Sequence, residues 1–257
     1  IHSMRLTSVL CAAALACAAP PLAAHPLAAQ TLVTSTGTPY RTSGLSSAQT
    51  FGASMAGMSV TAYFADGATA NAAWRDLSGG LFGAETSLFR LTFPEDVNTG
   101  TFGHDWRLTN AWSAGLTRLV LSGLGGRTVF DVNGDEVLTP NSALGIPLQF
   151  RPDVDANGLE VPSPYAVGST VTYSNVVRVG AATPLGDVFE QVDLVFGTAL
   201  AGGLTAEFIM DTDSVGEGGT IGPVPPTSTV PEPATVALMA GGLAVLAAAR
   251  GARRARA

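Results

Sequence analysis

The residues with the clearest chemical meaning in this chain are three oxygen-bearing side chains spaced two apart, Asp153, Asp155 and Asn157, followed by Gly158. Calcium takes carboxylate and amide oxygens from alternating positions of a loop, and a glycine at the sixth position allows the sharp turn. The twelfth position is Pro164, where an EF-hand carries a bidentate Glu, so an EF-hand is excluded. Calcium binding by these three residues is the best site hypothesis that the sequence offers, and a plain polar turn is the competing interpretation, because Asp, Asn and Gly are common turn formers.

Two further acidic stretches carry weaker signals for a cation. Residues 131–135, Asp-Val-Asn-Gly-Asp, offer suitable oxygen ligands, but Glu136 stands where a calcium loop needs its glycine. Asp211, Asp213 and Glu217 follow the last apolar stretch, and acidic residues at such a junction are usually solvated. We interpret them as an exposed face, and we predict no cofactor other than calcium.

The residue types used in most catalytic sites are nearly absent from the middle of the chain. Residues 30–229 contain no Cys, no Lys and one His, His104. That composition excludes thiol nucleophiles, Schiff-base lysines and multi-histidine zinc sites from this segment. His104 lies between Gly103 and Asp105, which favours a surface turn, and no nucleophile elbow marks a partner serine. We predict no catalytic residues, although the many acidic residues leave open a pair of carboxylates for glycan hydrolysis.

Three tryptophans, Trp74, Trp106 and Trp112, offer a different kind of surface. Exposed and coplanar, they would form an aromatic platform for sugar rings, as in carbohydrate-binding modules. Tryptophan in a β-domain more often packs into the core. Burial of all three would therefore count against glycan binding.

The charge of the chain is unevenly distributed. All thirteen basic residues are arginine, and five of them lie at the two ends, at Arg5 and within residues 250–256. The remaining eight arginines face nineteen acidic residues, which gives the region between the ends a formal charge of −11. A field of that sign repels phosphate backbones, so we predict no nucleic-acid partner.

The middle of the chain alternates apolar and polar residues with the period of two that is typical of β-strands. The clearest stretches are residues 60–64, 89–93, 106–109, 171–179, 192–196 and 204–210. Turn-forming residues separate them, and the last two are predicted to form a hairpin through Gly202-Gly203. No helical pattern of comparable clarity occurs in residues 31–215. We therefore predict an all-β fold, a single antiparallel β-sandwich of jelly-roll or immunoglobulin-like type.

Residues 1–29 have the features of a secretory signal peptide. A charged start at Arg5 is followed by apolar residues 6–19, and small residues lead to candidate cleavage points after Ala24 or Ala29. The signal predicts export from the cytoplasm.

Both cysteines, Cys11 and Cys17, lie within this segment. A lipoprotein signal ending at Cys17 is an alternative, although Ala14 occupies a position where a large aliphatic residue is usual. After removal of the signal peptide the chain has no cysteine, so its fold depends on its core, without disulfides or thiolate metal sites.

The C-terminal end has three parts in a fixed order. Residues 216–229 are rich in Gly, Pro and Thr and form a predicted linker. Val230-Pro231-Glu232-Pro233 follows, and residues 234–249 then contain no charge. A helix of that length rises about 24 Å, a little short of the ~30 Å of a hydrocarbon core. Four arginines would hold the end of the chain on the cytoplasmic side of the membrane: Arg250, Arg253, Arg254 and Arg256.

The Pro-Glu-Pro sequence, the short apolar helix and the terminal arginines, behind an N-terminal signal peptide, resemble the PEP-CTERM sorting signal of Gram-negative bacteria. The resemblance covers residues 230–257. It implies that an exosortase in the inner membrane recognises the chain and cleaves it near residues 230–233. The protein would be anchored in the inner membrane during sorting and then delivered to the cell envelope, cell surface or extracellular space, often in an exopolysaccharide setting.

A second, weaker resemblance is to uncharacterised surface β-domains that accompany this sorting tail. It is carried by residues 106–110, 128–131 and 139–145, with a matching end in residues 189–196 and 208–213. It implies a β-sandwich of the cell envelope and nothing catalytic.

The chain is therefore predicted to consist of a signal peptide (1–29), a β-sandwich domain (30–215), a linker (216–229) and a sorting and anchor segment (230–257). The first and last are predicted to form a signal helix and a transmembrane helix. The predicted function is that of a non-enzymatic protein of the cell surface or extracellular matrix. The alternatives are a carbohydrate-binding module for exopolysaccharide and a carboxylate-dependent glycan hydrolase.

Overall fold

The computed structural model describes residues 30–33, 40–42, 45–46, 50–94, 101, 104–132, 145–180, 187–215 and 221–223. The predicted signal and transmembrane helices lie outside these residues. The described part is mostly β-structure, as the alternating pattern predicted. None of the helices in it has the length and hydropathy needed to span a membrane. We call residues 30–223 the β-domain.

The described strands and short helices follow one another along the β-domain. The strands are β1 (Gln30–Val33), β2 (Tyr40–Thr42), β3 (Leu45–Ser46), β4 (Ser59–Phe64), β5 (Thr69–Ala73), β6 (Arg75–Asp76), β7 (Leu81–Glu85), β8 (Phe89–Pro94), β9 (Trp106–Asn110), β10 (Leu116–Ser122), β11 (Thr128–Asp131), β12 (Gln149–Phe150), β13 (Asp153–Val154), β14 (Glu160–Val161), β15 (Thr170–Val179), β16 (Val188–Leu200), β17 (Thr205–Ile209), β18 (Asp211–Val215) and β19 (Gly222–Pro223). Two 3₁₀ helices, Gly52–Met55 and Leu124–Gly126, precede β4 and β11.

The strands form two larger sheets. In the first, the main path runs β19-β2-β15-β16-β10-β4-β5; β1 also pairs with β15, and β11, β18 and β3 branch from β16. In the second, the order is β12-β17-β9-β8-β7-β6, and β13 with β14 forms a separate hairpin. The described pairs are antiparallel, as predicted, except those that β15 makes with β1 and β2. Parallel pairing requires a long connection between the strands, and more than a hundred residues separate β1 and β2 from β15.

One hydrophobic cluster draws side chains from both sheets. Its members from the first sheet include Val60, Ala62, Leu119, Leu121, Val171, Tyr173, Val192 and Leu194. Its members from the second sheet include Phe89, Leu91, Phe93, Trp106, Leu108, Ala206 and Phe208. In both sheets these residues occupy every second position, so the period of two in the sequence places one apolar face of each sheet against this cluster.

A second, smaller cluster lies beside the first sheet. It contains Leu45, Val129, Val177, Val179, Val188, Val215 and Ile221. Ile221 is buried and precedes β19, which pairs with β2. The fold therefore extends at least to Pro223, beyond the predicted domain boundary at residue 215, because one isoleucine within the predicted linker has apolar surface to bury.

The predicted hairpin through Gly202-Gly203 is wrong. β16 pairs with β10 and β15 in the first sheet, whereas β17 pairs with β9 and β12 in the second, so the chain crosses between sheets here. Buried Asn110 fixes the crossing, since its Nδ2 donates to the carbonyl oxygen of Leu200 (2.8 Å) and its backbone N–H to that of Leu204 (3.0 Å). Alternation reveals a strand but not the sheet to which that strand belongs.

Candidate functional site

The residues predicted to direct sorting lie outside the described part of the chain. They are Val230, Pro231, Glu232, Pro233, Arg250, Arg253, Arg254 and Arg256. The last described residue before them in the sequence is Pro223, at the end of β19. Seven residues, 224–230, separate Pro223 from Pro231 along the chain. The described part of the chain therefore ends, in sequence, a few residues before the predicted sorting motif.

The predicted calcium residues lie in the β13–β14 hairpin. Asp153 pairs with Val161 in the strands, whereas Asp155 and Asn157 lie in the turn. One Asp155 carboxylate oxygen accepts the backbone N–H groups of Asn157 (2.8 Å) and Leu159 (2.9 Å), and these hydrogen bonds lower the pKa of Asp155. The carboxylate thus already stabilises a turn, which is the competing interpretation of this sequence. Among the residues with a described position, no three His, Cys, Asp or Glu side chains are grouped so as to hold a metal ion.

The calcium hypothesis predicts a measurable stabilisation of the β-domain. Calcium at ten times its dissociation constant would raise the melting temperature by about 3 °C, because only the folded hairpin brings the ligands together. Asp153→Asn combined with Asp155→Asn should abolish the shift, whereas Asp76→Asn, on β6, should leave it intact. A melting curve unchanged at millimolar calcium would remove the hypothesis.

The three tryptophans do not share one surface. Trp74 and Trp106 are buried in the first hydrophobic cluster, as is usual for tryptophan in a β-domain. Trp112 is 37% exposed, and its indole Nε1 donates a hydrogen bond to Asp66 Oδ2 at 2.8 Å. A platform of all three rings is therefore not formed. What remains is one exposed indole, held in place by a carboxylate.

The outer face of the second sheet carries two adjoining surface hollows that share Glu207. One, of about 350 Å³, is lined by Leu81, Thr92, Pro94, His104, Asp105, Arg107 and Glu207. The other, of about 230 Å³, is lined by Arg151, Pro152, Asp153, Ser163, Tyr165, Thr205, Ala206 and Glu207. Ion pairs cross this face between Arg107 and Glu207 (2.8 Å) and between Arg151 and Asp105. His104 thus lies at the surface among charged groups, with its ring edge-on to Phe93.

Four aspartates are buried around β11 and β18, and two of them, Asp211 and Asp213, belong to the predicted exposed face. Asp131 lies directly opposite Asp211 in the antiparallel ladder, and Asp213 follows two residues along β18, on the same side as Asp211. The exposed fractions of these three residues are 1%, 6% and 4%, respectively. Asp187 is 4% exposed and immediately precedes Val188, which pairs with Asp131. The interpretation of Asp211 and Asp213 as solvated is therefore wrong, and Glu217 lies outside the described residues.

Burial changes the titration of Asp211. The loss of solvent raises its pKa from 3.8 to about 7, and the neighbouring charges of Asp213 and Asp131 act in the same direction. The Thr101 hydroxyl donates a hydrogen bond to Asp211 Oδ1 at 3.0 Å, which acts in the opposite direction. This group of carboxylates can therefore hold a proton near neutral pH. Alternation gave no signal for this burial, because Thr212, on the opposite face of β18, is buried as well.

The segments behind the weaker resemblance to surface β-domains are neighbours in the fold. β9 pairs with β17, and β11 pairs with both β16 and β18. Residues 139–144 of that resemblance lie outside the described part. The buried Asp131, Asp211 and Asp213 all belong to these segments. The residues that carry the resemblance therefore include the buried carboxylates of β11 and β18.

Comparison with known proteins identifies one region of the chain. Residues 229–254 match the family model of the PEP-CTERM protein-sorting motif. Neither the curated proteins nor the solved structures contain a match to the chain. The Pro-Glu-Pro sequence, the uncharged stretch and three of the four terminal arginines fall within the matched residues. The chain therefore carries a C-terminal PEP-CTERM protein-sorting motif, attached to a β-rich domain.

Proposed function

We propose that this chain is a non-enzymatic protein of the cell surface or extracellular matrix, exported and then processed by an exosortase-type enzyme at its C-terminal motif. The match of residues 229–254 to the sorting motif carries the proposal. In this arrangement residues 234–249 cross the inner membrane during sorting, and the terminal arginines remain on the cytoplasmic side.

The proposed removal of residues 1–29 as a signal peptide is supported by the position of β1. This strand begins at Gln30, directly after the candidate cleavage point at Ala29, and pairs with β15 from its first residue. Removal of residues 1–29 as a signal peptide would therefore leave all described strands intact.

We further propose that the two larger sheets pack face to face as one β-sandwich. The proposal is supported by the first hydrophobic cluster, which takes alternate residues from both sheets. A fold of this kind presents loops and outer sheet faces to solvent while its core supplies stability. Such a domain suits a structural or adhesive role outside the cell.

Glycan binding is the second candidate function. It is favoured by exposed Trp112, whose ring is held by Asp66, and by the two polar hollows that adjoin Glu207. An indole face can stack on a sugar ring, and a neighbouring carboxylate can accept hydrogen bonds from the hydroxyl groups of the sugar. Burial of Trp74 and Trp106 counts against an extended platform. A carboxylate-dependent hydrolase is less favoured, because Asp211, the acid with the raised pKa, is buried.

Removal of the tail tests the proposed function. Cells expressing the full chain are compared with cells expressing a chain that ends at Thr229. We expect the membrane-associated fraction of unprocessed protein to be at least about tenfold higher with the tail than without it, because a spanning helix inserts almost irreversibly. Glu232→Ala is the matched control. It keeps the apolar stretch and should therefore leave the protein in the membrane but unprocessed.

Mass spectrometry of the mature C-terminus completes the test. Processing by the sorting enzyme predicts a C-terminus near residues 230–233 in the full chain and an intact tail in Glu232→Ala. Full-length protein recovered from the cytosol would contradict export. Identical fractionation of Glu232→Ala and the truncated chain would contradict anchoring through the tail.

A further inference from the structure

Two arginines lie side by side near one edge of the first sheet, on the two strands next to β19. Arg41 on β2 and Arg178 on β15 are direct partners in the parallel register of these strands. Both are exposed, whereas the flanking Val177 and Val179 are buried in the second cluster. Because side chains alternate along a strand and partners in register share a face, both guanidinium groups lie on the same outer face.

This pair lacks the carboxylate partners that the other arginines of the sheets have. Five arginines make ion pairs with acidic side chains: Arg75, Arg90, Arg107, Arg118 and Arg151. Within the described part of the chain, Arg41 and Arg178 make no side-chain hydrogen bond or ion pair. Like charges directly opposite each other on adjacent strands repel. An anion bound between them would relieve that repulsion.

The same edge leads to the sorting motif. Gly222 of β19 pairs with Arg41, so the last described strand of the β-domain lies next to this arginine pair. The ten residues 224–233, which connect β19 to the predicted membrane-spanning segment, can span at most about 36 Å when fully extended. A domain of about 190 residues has a radius of gyration of about 16 Å and is therefore about 40 Å wide. With the tail inserted, this connection is shorter than the domain is wide, so the end of β19 and the arginine pair beside it cannot lie on the side of the domain that faces away from the bilayer.

We propose that Arg41 and Arg178 bind anionic phospholipid headgroups of the membrane that holds the tail, and so seat this edge of the β-domain on the bilayer. This inference rests on the proposed anchoring through the tail. Paired guanidinium groups match the charge and geometry of phosphate. The region between the two ends of the chain has a formal charge of −11, which an anionic membrane surface repels. The arginine pair is positively charged, so it makes the part of the β-domain beside β19 attractive to that surface.

The test uses the full chain inserted in vesicles of phosphatidylcholine alone or with about 30% phosphatidylglycerol, an anionic lipid. An arginine-selective dicarbonyl reagent is applied, and mass spectrometry measures modification at each arginine. We expect modification of Arg41 and Arg178 to fall about threefold on the anionic vesicles and to recover at high salt. Arg75 and Arg107, on the second sheet, serve as internal references and should react equally on both vesicles.

A second measurement follows protease cleavage within residues 224–230, which releases the domain from the vesicle. Anionic lipid should slow this cleavage in the natural chain, because a seated domain shields the short linker. The double variant Arg41→Gln, Arg178→Gln should lose the difference between the two vesicles. The variant Arg75→Gln, Arg107→Gln has the same change of charge and should keep it.

The outcomes separate the two proposals. A chain that fails to float with either vesicle contradicts anchoring through the tail, and the seating of the domain falls with it. A chain that inserts but shows equal modification on both vesicles overturns the arginine proposal alone. Equal protection by inorganic phosphate without vesicles would reveal a general anion site and would also overturn membrane seating.

Discussion

Replacing Trp106 by alanine is expected to lower the free energy of unfolding of the β-domain by about 4 kcal/mol. Trp106 is fully buried on β9, with its ring 5.1 Å from that of Trp74, 5.3 Å from that of Phe93 and 6.2 Å from that of Phe208. Its Nε1 also donates a hydrogen bond to the Met210 carbonyl oxygen at 3.1 Å. Alanine would leave a cavity among three aromatic rings and an acceptor without its donor, and both effects destabilise the fold.

Urea unfolding of residues 30–223, followed by circular dichroism, measures this loss. Trp112→Ala is the matched control, because it removes the same side chain from a partly exposed position and should cost less than about 1 kcal/mol. Trp106→Phe should fall between the two, since it keeps an aromatic ring but not the hydrogen bond. Equal losses for Trp106→Ala and Trp112→Ala would mean that the aromatic cluster is not the centre of the core.

Replacing Asp211 by asparagine is expected to stabilise the β-domain at alkaline pH. Folding raises the pKa of Asp211 from 3.8 to about 7, so between these values the folded chain binds a proton that the unfolded chain has lost. The contribution of this group is therefore favourable below about pH 4 and declines as the pH rises towards 7. At 1.36 kcal/mol per pKa unit, the full decline has an upper limit of about 4 kcal/mol.

Asparagine keeps the shape of the carboxyl group but does not ionise. We expect Asp211→Asn to be more stable than the natural chain by about 2 kcal/mol near pH 8 and of similar stability near pH 4. The value lies below the upper limit because the amide accepts a weaker hydrogen bond from Thr101 than a carboxylate does. Urea unfolding across this pH range, in the presence of a chelator that removes cations, measures the difference.

Asp66→Asn is the control, because its expected effect on stability at alkaline pH is opposite to that of Asp211→Asn. The hydrogen bond from Trp112 Nε1 lowers the pKa of exposed Asp66, and the Ala68 backbone N–H acts in the same direction. The stabilising effect of the ionised Asp66 carboxylate is therefore present at neutral pH and lost as the pH falls. The Asp66→Asn variant should be slightly less stable than the natural chain near pH 8. If Asp211→Asn left the pH dependence of stability unchanged, the carboxylates around β11 and β18 would not share a proton near neutrality.

The sequence alone determined the features that depend on local order along the chain. Period-two alternation identified the strands around Phe89–Pro94, Trp106–Asn110 and Thr170–Val179, because each strand buries one face. The sorting motif was equally visible, because proline, glutamate, an uncharged stretch and arginines must follow one another in fixed order. The predicted domain boundary at residue 215 did not anticipate that Ile221 packs into the second cluster. The composition of residues 216–229 is an average over the segment, and it does not show that a single side chain within it is buried.

Only the tertiary structure decided which strands are neighbours. The sequence on either side of Gly202-Gly203 resembles a hairpin, yet Asn110 holds a crossing between sheets, and that contact joins residues about ninety positions apart. Asp131 and Asp211, and likewise Arg41 and Arg178, look like ordinary surface charges until strand pairing sets them opposite each other. Charge and burial act through distance in space, and pairing across the sheet fixes distances that spacing along the chain leaves open.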